Sequence, residues 1–399
     1  MIYRLDPEHV GFPDPRMAEP DGFVAFDGGM SVEWLLNAYW MGLFPWYDNE
    51  DGIPFWYSPD PRMVLEPQEF RCSKSLRRTI RSGRFEVKVD TCFRSVIEQC
   101  AAVKREGETS SWISPNFIES YCKLHEAGFA HSFETFENGR LVGGLYGVGL
   151  SDCFCGESMF HTVTDASKVA FAKMVEFTIL HGFRIIDAQM YTPHLASLGA
   201  KEMNREDFLQ ILEEQDVKKV IRGRWHNNSV VLLLGTNQGE RMVLLMQAIA
   251  AIAKRIGTVS CSSPVYETEP WGFEAEQSFL NQAIVVDTDL DAHEVLKKAL
   301  EIEKDLGRVR NETSPGIQNS KFKIQNYASR PMDIDLIFFN GDVIDTPDLQ
   351  VPHPRMHLRR FVLQPLLSII PDFIHPKMLK TVRSLYEECS DNCEVKTYF

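Results

Sequence analysis

Apolar and polar positions alternate with different periods along the chain, and the changes of period mark its elements. From Val230 to Leu234 five consecutive apolar residues are closed by Gly235 and followed by Asn237 and Gly239, a buried strand ending in a tight turn before a helix. Upstream, ASKVAFAKMVEFTILHGF predicts a strong helix stopped by Gly182, RIIDAQMY a short strand, and DFLQILEEQ an amphipathic run. The spacing of Trp34, Leu35, Ala38 and Tyr39 predicts a helix reaching Phe44, where Pro45 ends it. RLVGGLYGVGLSDCFCGESMF alternates as strands joined by glycine bends. Beyond Gly239 the pattern runs helix, strand, a second helix around HEVLKKALEIEKDLG, and the strand MDIDLIFF. Strands interleaved with helices, with antiparallel returns, predict α+β in both halves.

Between these halves the stretch DVKKVIRGRWHNNS is polar and charged, which places a linker at residues 217–228 between domains at 1–216 and 229–399. The length of 399 residues, more than twice a usual domain of roughly 150, agrees with two units. Hydrophobic residues at 44% and charged residues at 25% exclude a disordered or collagen-like chain. No apolar run approaches the roughly 20 residues of a membrane span, so no membrane partner is expected. The opening MIYRLDPEHVGFPDPRM has neither signal-peptide nor transit-peptide character, and a cytoplasmic protein is expected. Forty-two Lys and Arg against 56 Asp and Glu give a charge of -14, which excludes a chain-wide nucleic-acid footprint but not a local one. Nine cysteines without a CxxC pair read as reduced thiols.

Candidate chemistry is concentrated in a few places. Asp187 and Gln189 lie two apart on the predicted strand RIIDAQMY, so their side chains would share a face. FRCSKSLRRTIRSGRFEVK gathers Arg71, Lys74, Arg77, Arg78, Arg81, Arg84 and Lys88 against the single acid Glu86, either a phosphate-binding patch or a solvated helix face. In Asp333-Ile334-Asp335 a period of two puts both carboxylates on one face while Met332, Ile334 and Leu336 face the core, a pair of hard oxygen ligands.

The segments GGMSVEWLLNAYWMGLFPWY, FWYSPDPRMVL, SSWISPNFIESYCKLHEAGFAHSFE, LVGGLYGVGLSDCFCGESMFH and IIDAQMYTPHLASLGAKEM together resemble the leucyl/phenylalanyl-tRNA–protein transferase family over residues 1–215. The resemblance implies a GNAT-like acyltransferase fold and transfer of Leu or Phe from aminoacyl-tRNA to proteins beginning with Arg or Lys. It implies catalytic roles for Asp187 and Gln189, where a carboxylate behind an amide orients the attacking amine. It also implies an aminoacyl site of Trp46, Trp112, Phe154, Glu157, Met159 and Phe160, and a tRNA-binding role for Lys74, Arg77, Arg78, Arg81 and Arg84. His161 after GESMF departs from the small polar residue often found there.

LLLGTNQGER, SPVYETEPWG, QSFLNQAIVVDT, EIEKDLGRVR, RPMDIDLIFFNGDVI and LQVPHPRMHLRRFVLQPLLSIIP resemble the 6-hydroxymethyl-7,8-dihydropterin pyrophosphokinase family, in the same order, from residue 229 onward. That implies a ferredoxin-like α+β fold and transfer of pyrophosphate from ATP to 6-hydroxymethyl-7,8-dihydropterin, with release of AMP. Asp333 and Asp335 would hold two Mg²⁺ ions with ATP. The cationic set Arg308, Arg310, Arg330, His353 and Arg359 would serve the phosphates, with Arg308 and Arg330 catalytic and Glu303 near the nucleotide. Trp271, Asn281 and Phe361 would bind the pterin, Tyr266 and Phe279 would be framework, and the polar stretch at 311–329 would order over ATP. Two other readings stay open: one half as a non-catalytic binding module, or a first half using another acyl donor.

Overall fold

The computed structural model describes residues 3–48, 52–103, 111–215, 220–221, 223–269, 277–308 and 330–398. Trp271, Arg310 and the stretch at 311–329 lie outside them. Contacts divide the chain into two compact units, residues 1–178 with 183–225, and 179–182 with 226–399. Both mix helices with sheets, as the α+β expectation holds.

The first unit carries strands β1 (Tyr3–Leu5), β2 (Phe23–Asp27), β3 (Phe44–Asp48), β4 (Pro54–Tyr57), β5 (Arg62–Leu65), β6 (Glu86–Val89), β7 (Ala130–Glu137), β8 (Arg140–Gly149), β9 (Cys153–His161), β10 (Ile185–Gln189) and β11 (Lys201–Met203). Its helices are α1 (Val32–Trp40), α2 (Lys74–Arg81), α3 (Phe93–Ala102), α4 (Pro115–Glu126), α5 (Ala166–Leu180), α6 (Pro193–Ser197) and α7 (Arg205–Glu213). A small sheet has the order β1-β2-β4-β3, and a seven-stranded sheet the order β11-β5-β10-β9-β8-β7-β6. In the larger sheet β9 and β10 run parallel, joined through α5, while the remaining pairs are antiparallel.

Three expectations change here. The first helix ends at Trp40, not Phe44: Gly42 takes φ 77° and turns the chain, and Phe44 starts strand β3 with Pro45 inside it. The glycines of β8 are not bends. A Cβ on Gly143 would stand 2.6 Å from the Ala166 Cβ, so the missing side chain lets α5 approach the strand. Trp225, within the expected linker, is 2% exposed and belongs to the core of the first unit, an apolar side chain hidden in a polar stretch without periodic neighbours.

The second unit has β12 (Asn228–Thr236), β13 (Thr258–Ser262), β14 (Tyr266–Thr268), β15 (Phe279–Thr288), β16 (Asp333–Phe339), β17 (Ile344–Asp345), β18 (Gln350–Val351) and β19 (Val395–Thr397), with α8 (Arg241–Arg255), α9 (Ala292–Asp305), α10 (Arg360–Leu367) and α11 (Val382–Glu387). An antiparallel sheet runs β16-β12-β15-β14-β19, with β13 on β15, and β17 pairs with β18. The unbroken apolar run of β12 follows from burial on both faces. Val230, Leu232 and Leu234 pack with Leu245 and Ile252 of α8 and with Val295 and Ile302 of α9. Val231 and Leu233 pack with Val362, Leu363 and Leu366 of α10. Helix α9 starts in a complete capping box of Asp291 and Glu294. All nine cysteines are free thiols.

Candidate active sites

In the first unit a cavity of about 460 Å³ opens beside β9 and β10. Trp46, Trp112, Leu145, Phe154, Met159, Phe171, Met174 and Ile186 form its apolar wall, and Glu157, Asp187, Gln189 and His194 its polar edge. Five of the six residues expected at an aminoacyl site therefore meet here: Trp46, Trp112, Phe154, Glu157 and Met159. The sixth, Phe160, is 2% exposed and packs into the core instead. The cause is a bulge: Tyr146 pairs with Ser158 and Gly147 with Gly156, which leaves Glu157 as the extra residue of β9. Past it the alternation keeps Met159 toward the cavity and turns Phe160 away.

Around Glu157 the polar groups form one connected set. Tyr39 donates to Glu157 Oε1 at 2.6 Å, Tyr121 to Oε2 at 3.0 Å, and the Gln189 amide to Oε1 at 2.8 Å. The hydroxyls of Tyr39 and Tyr121 also touch. Burial pushes the Glu157 carboxyl up to about 7, with the hydrogen bonds from Tyr39 and Tyr121 opposing it. Burial and the charge of Glu157 raise both tyrosines well above their ordinary value, so both remain donors.

Asp187 and Gln189 do meet at the cavity, but not as equivalent neighbours on a flat strand. The pairing of β10 with β5 shifts between them, and Gln189 takes φ 62°. Asp187 is fully buried and bound bidentately by Arg62, Nε to Oδ1 at 2.8 Å and Nη2 to Oδ2 at 2.7 Å. The Gln189 backbone N–H donates to the same Oδ1 at 2.9 Å, which pins the left-handed turn. Arg62 itself lies between the rings of Phe44 and Phe208, each 4.8 Å from its guanidinium carbon.

Sequence reasoning missed Arg62, Tyr39 and Tyr121. Arg62 stands at the head of the apolar run MVL, and a cation there was the available signal; the tyrosines carry no pattern that separates them from core residues. Of the expected tRNA contacts, Lys74, Arg77, Arg78 and Arg81 are exposed on α2, which Ser73 caps, and Arg84 is exposed but paired with Glu137 at 2.6 Å.

The second unit places a smaller cavity at the ends of three neighbouring strands. Gly235 of β12 stands opposite Asn281 of β15 on one side and Asp333 of β16 on the other, with Leu233 opposite Asp335 two residues along. Thr268, Glu269, Phe279, Arg330, Arg359 and Phe361 complete the lining. Phe279, expected as framework, is thus part of the wall. Asn281 donates to Thr268 Oγ1 at 2.8 Å.

Cations surround the acidic pair. Arg330 Nη1 lies 2.7 Å from Asp333 Oδ2, and Arg308 bridges Asp333 and Glu303, 2.5 Å from Glu303 Oε1. Burial works against the charge of Asp333, but Arg330 and Arg308 hold it below its ordinary value. Burial and then the charge of Asp333 push Asp335 up to about 7. Asn237 exchanges two hydrogen bonds with the backbone of Arg330, at 2.8 and 3.3 Å, fixing where that guanidinium starts. Glu303 is fully buried and also accepts from the Ile334 N–H at 2.9 Å, so it braces β16. His353 is not among the cavity-lining residues, and burial together with Arg359 lowers it to about 3.

Comparison with known proteins gives the two units separate relatives. Residues 64–213 match the family model for leucyl/phenylalanyl-tRNA protein transferase and residues 28–60 the model for its N-terminal domain. Residues 231–371 match the model for 7,8-dihydro-6-hydroxymethylpterin-pyrophosphokinase. The leucyl/phenylalanyl-tRNA–protein transferase of Anaeromyxobacter sp. strain Fw109-5 is 51% identical over 224 residues, 56% of this chain and 94% of that protein. That of Desulfatibacillum aliphaticivorans is 49% identical over 224 residues, 56% of this chain and 95% of that protein. Among solved structures, Plasmodium falciparum HPPK-DHPS wild type with SDX-DHP is 19% identical with a TM-score of 0.30, over 41% of this chain and 43% of that one. This chain therefore spans less than half the length of that structure. On the strength of the family models and the transferase relatives, the chain belongs to the leucyl/phenylalanyl-tRNA–protein transferase family and carries, at residues 231–371, a second enzyme domain of the hydroxymethyl-dihydropterin pyrophosphokinase family.

Proposed function

We propose that the first cavity transfers Leu or Phe from the 3′ end of tRNA to proteins beginning with Arg or Lys, marking them for degradation. The observation that carries this is an apolar chamber meeting the Glu157–Gln189 pair at one edge. The chamber takes an uncharged side chain and excludes water from the ester. With its amide nitrogen engaged by Glu157, Gln189 turns its carbonyl oxygen to the acceptor's neutral amine; as that nitrogen bonds to the ester carbonyl the ester C–O bond breaks, and the nitrogen's proton leaves with the tRNA ribose oxygen. Asp187, held by Arg62, fixes the backbone of Gln189 and so acts as a positioning residue, not as the proton acceptor. The exposed cations of α2 suit a tRNA backbone. The parallel β9 and β10 inside an otherwise antiparallel sheet support a GNAT-like architecture.

In the second unit the same reading assigns pyrophosphate transfer from ATP to 6-hydroxymethyl-7,8-dihydropterin, on a ferredoxin-like sheet with α8 and α9 against one face. The row Asn281–Gly235–Asp333 carries it: an amide for the flat heterocycle's edge, a gap with no side chain, and a carboxylate. Phe279 and Phe361 offer ring faces, while Arg330 and Arg359 of the lining, with Arg308 beside Asp333, offer charge for phosphates. The elevated Asp335, a buried acid lacking full compensation, fits a divalent cation, as does the all-oxygen donor pair. Asp333 and Asp335 would hold Mg²⁺, which when bound with ATP supplies neutralisation of phosphate charge. No cluster of three or more His, Cys, Asp or Glu suited to a metal occurs among the described residues.

No helix among the described residues is long and apolar enough to cross a membrane, which is compatible with work in the cytoplasm. The test is one preparation assayed for AMP release with the pterin, ATP and Mg²⁺, and for transfer of labelled Leu or Phe from tRNA to an Arg-initiated peptide. Asp187→Ala is expected to abolish only the second reaction and Asp335→Ala only the first. A wild type inactive in either assay overturns the corresponding half.

A further inference from the structure

We propose that Trp225 sets the depth of the aminoacyl cavity from behind, by holding the ring of Phe154, and is a positioning residue for the size selectivity of transfer. The inference rests on the reading of that cavity as the aminoacyl site.

Trp225 is the last residue of the first unit and is 2% exposed. Its indole is stacked between His131, ring centroids 3.6 Å apart, and Phe177 at 4.2 Å. The backbone closes the arrangement: the Trp225 N–H donates to Asp90 Oδ2 at 2.8 Å, and the indole N–H to the Ile221 carbonyl at 3.1 Å. The indole is therefore held on both faces and at its ring nitrogen.

Beside it lies Phe154, 5.9 Å between centroids, which is both fully buried and part of the cavity wall. Phe133 meets Phe154 edge-on at 6.3 Å. Two glycines of β8 make room for these rings: a Cβ on Gly149 would come within 2.7 Å of the indole, and one on Gly147 within 2.6 Å of the Phe154 Cζ. With the strand on one side and Trp225 on another, the phenyl ring has no space into which to retreat. The cavity's inner limit is then fixed by a residue that does not itself line it.

Shortening Trp225 should let Phe154 recede and admit a larger aromatic side chain, since small differences in pocket volume translate into roughly tenfold discrimination or more. The experiment uses the full chain with Trp225→Phe and Trp225→Leu, and measures kcat/KM for tRNA charged with Leu, Phe or Trp and an Arg-initiated peptide. The expected result is a rise of about tenfold in the Trp-to-Leu ratio for Trp225→Leu, with a smaller rise for Trp225→Phe. Phe154→Leu should raise the same ratio, and the double variant should show less than the product of the two effects, because both act on one wall. Rates that fall in parallel with an unchanged ratio would show a purely structural role and overturn the inference. If Trp225→Leu does not fold, the ratio in Trp225→Phe decides in the same way. A wild type that transfers neither Leu nor Phe overturns the aminoacyl reading itself, and this inference with it.

Discussion

Arg62 and Asp187 are the most deeply buried charged side chains near the transferase cavity, and they are paired bidentately with each other. Removing one partner of such a pair strands a charge and costs about 3–5 kcal/mol, whereas replacing both by apolar groups is often neutral. Arg62→Met should therefore destabilise the protein by about that amount in chemical denaturation, and Arg62→Met combined with Asp187→Leu should recover most of it. Transfer activity should stay lost in the double variant, because the Gln189 N–H no longer has its acceptor; recovered activity would show that the turn needs no anchor. Glu157 gives a second prediction. Its folded value near 7 lies above the ordinary 4.5, so the carboxylate form that accepts from Tyr39, Tyr121 and Gln189 is filled only as pH rises through about 7. Transfer should rise across that range, and Glu157→Gln should lose this inflection and lower the plateau by about 10- to 100-fold. The same shift means that Glu157 favours the fold fully below about 4.5 and loses that contribution as pH passes 7. These residues were unevenly legible. Asp187, Gln189 and Glu157 stood out by type and motif, but the tyrosines that bind Glu157 come from α1 and α4, far away in the chain.

At the level of elements, the second site is a consequence of strand register. Three adjacent strands put Asn281, Gly235 and Asp333 in one row, and the middle residue has no side chain. A Cβ at Gly235 would lie 3.3 Å from Asn281 Oδ1 and 3.9 Å from the Asp333 Cβ, close enough to crowd the row without breaking the sheet. Gly235→Ala should raise the pterin KM about tenfold while altering the ATP KM much less, measured by AMP release. Equal changes in both would place the pterin elsewhere. Most of the elements were visible beforehand: α5 with its Gly182 stop, α9 around HEVLKKALEIEKDLG, β12 as an apolar run and β16 as the strand MDIDLIFF. The bulge at Glu157 and the reversal of Phe44 to Asp48 into a strand were not, because both depend on the neighbouring strand with which they pair.

Across the whole molecule, charge is distributed against its average. A chain of net charge -14 presents Lys74, Arg77, Arg78 and Arg81 on one short exposed helix. Phosphate contacts release counterions, so replacing Arg77 and Arg78 by Ser should raise the KM for charged tRNA and flatten its log-log salt dependence by about 1.5 to 2. Transfer from a minimal aminoacyl-adenosine, which carries no backbone, should be unchanged; a matching loss there would assign α2 a structural role.

Composition, periodicity and motif order, which are local properties of the chain, were enough for the α+β character and the two-enzyme organisation, and residue type alone offered Glu157, Asp187, Asp333 and Asp335 as candidates. The folded chain was needed to show that Asp187 is sealed by Arg62, that Glu157 is shared by two tyrosines, that Phe160 belongs to the core and that the buried Trp225 packs beside Phe154. Each of these depends on which side chains meet across long sequence separations, and burial, which sets both their charge states and their freedom to move, exists only once those contacts have formed.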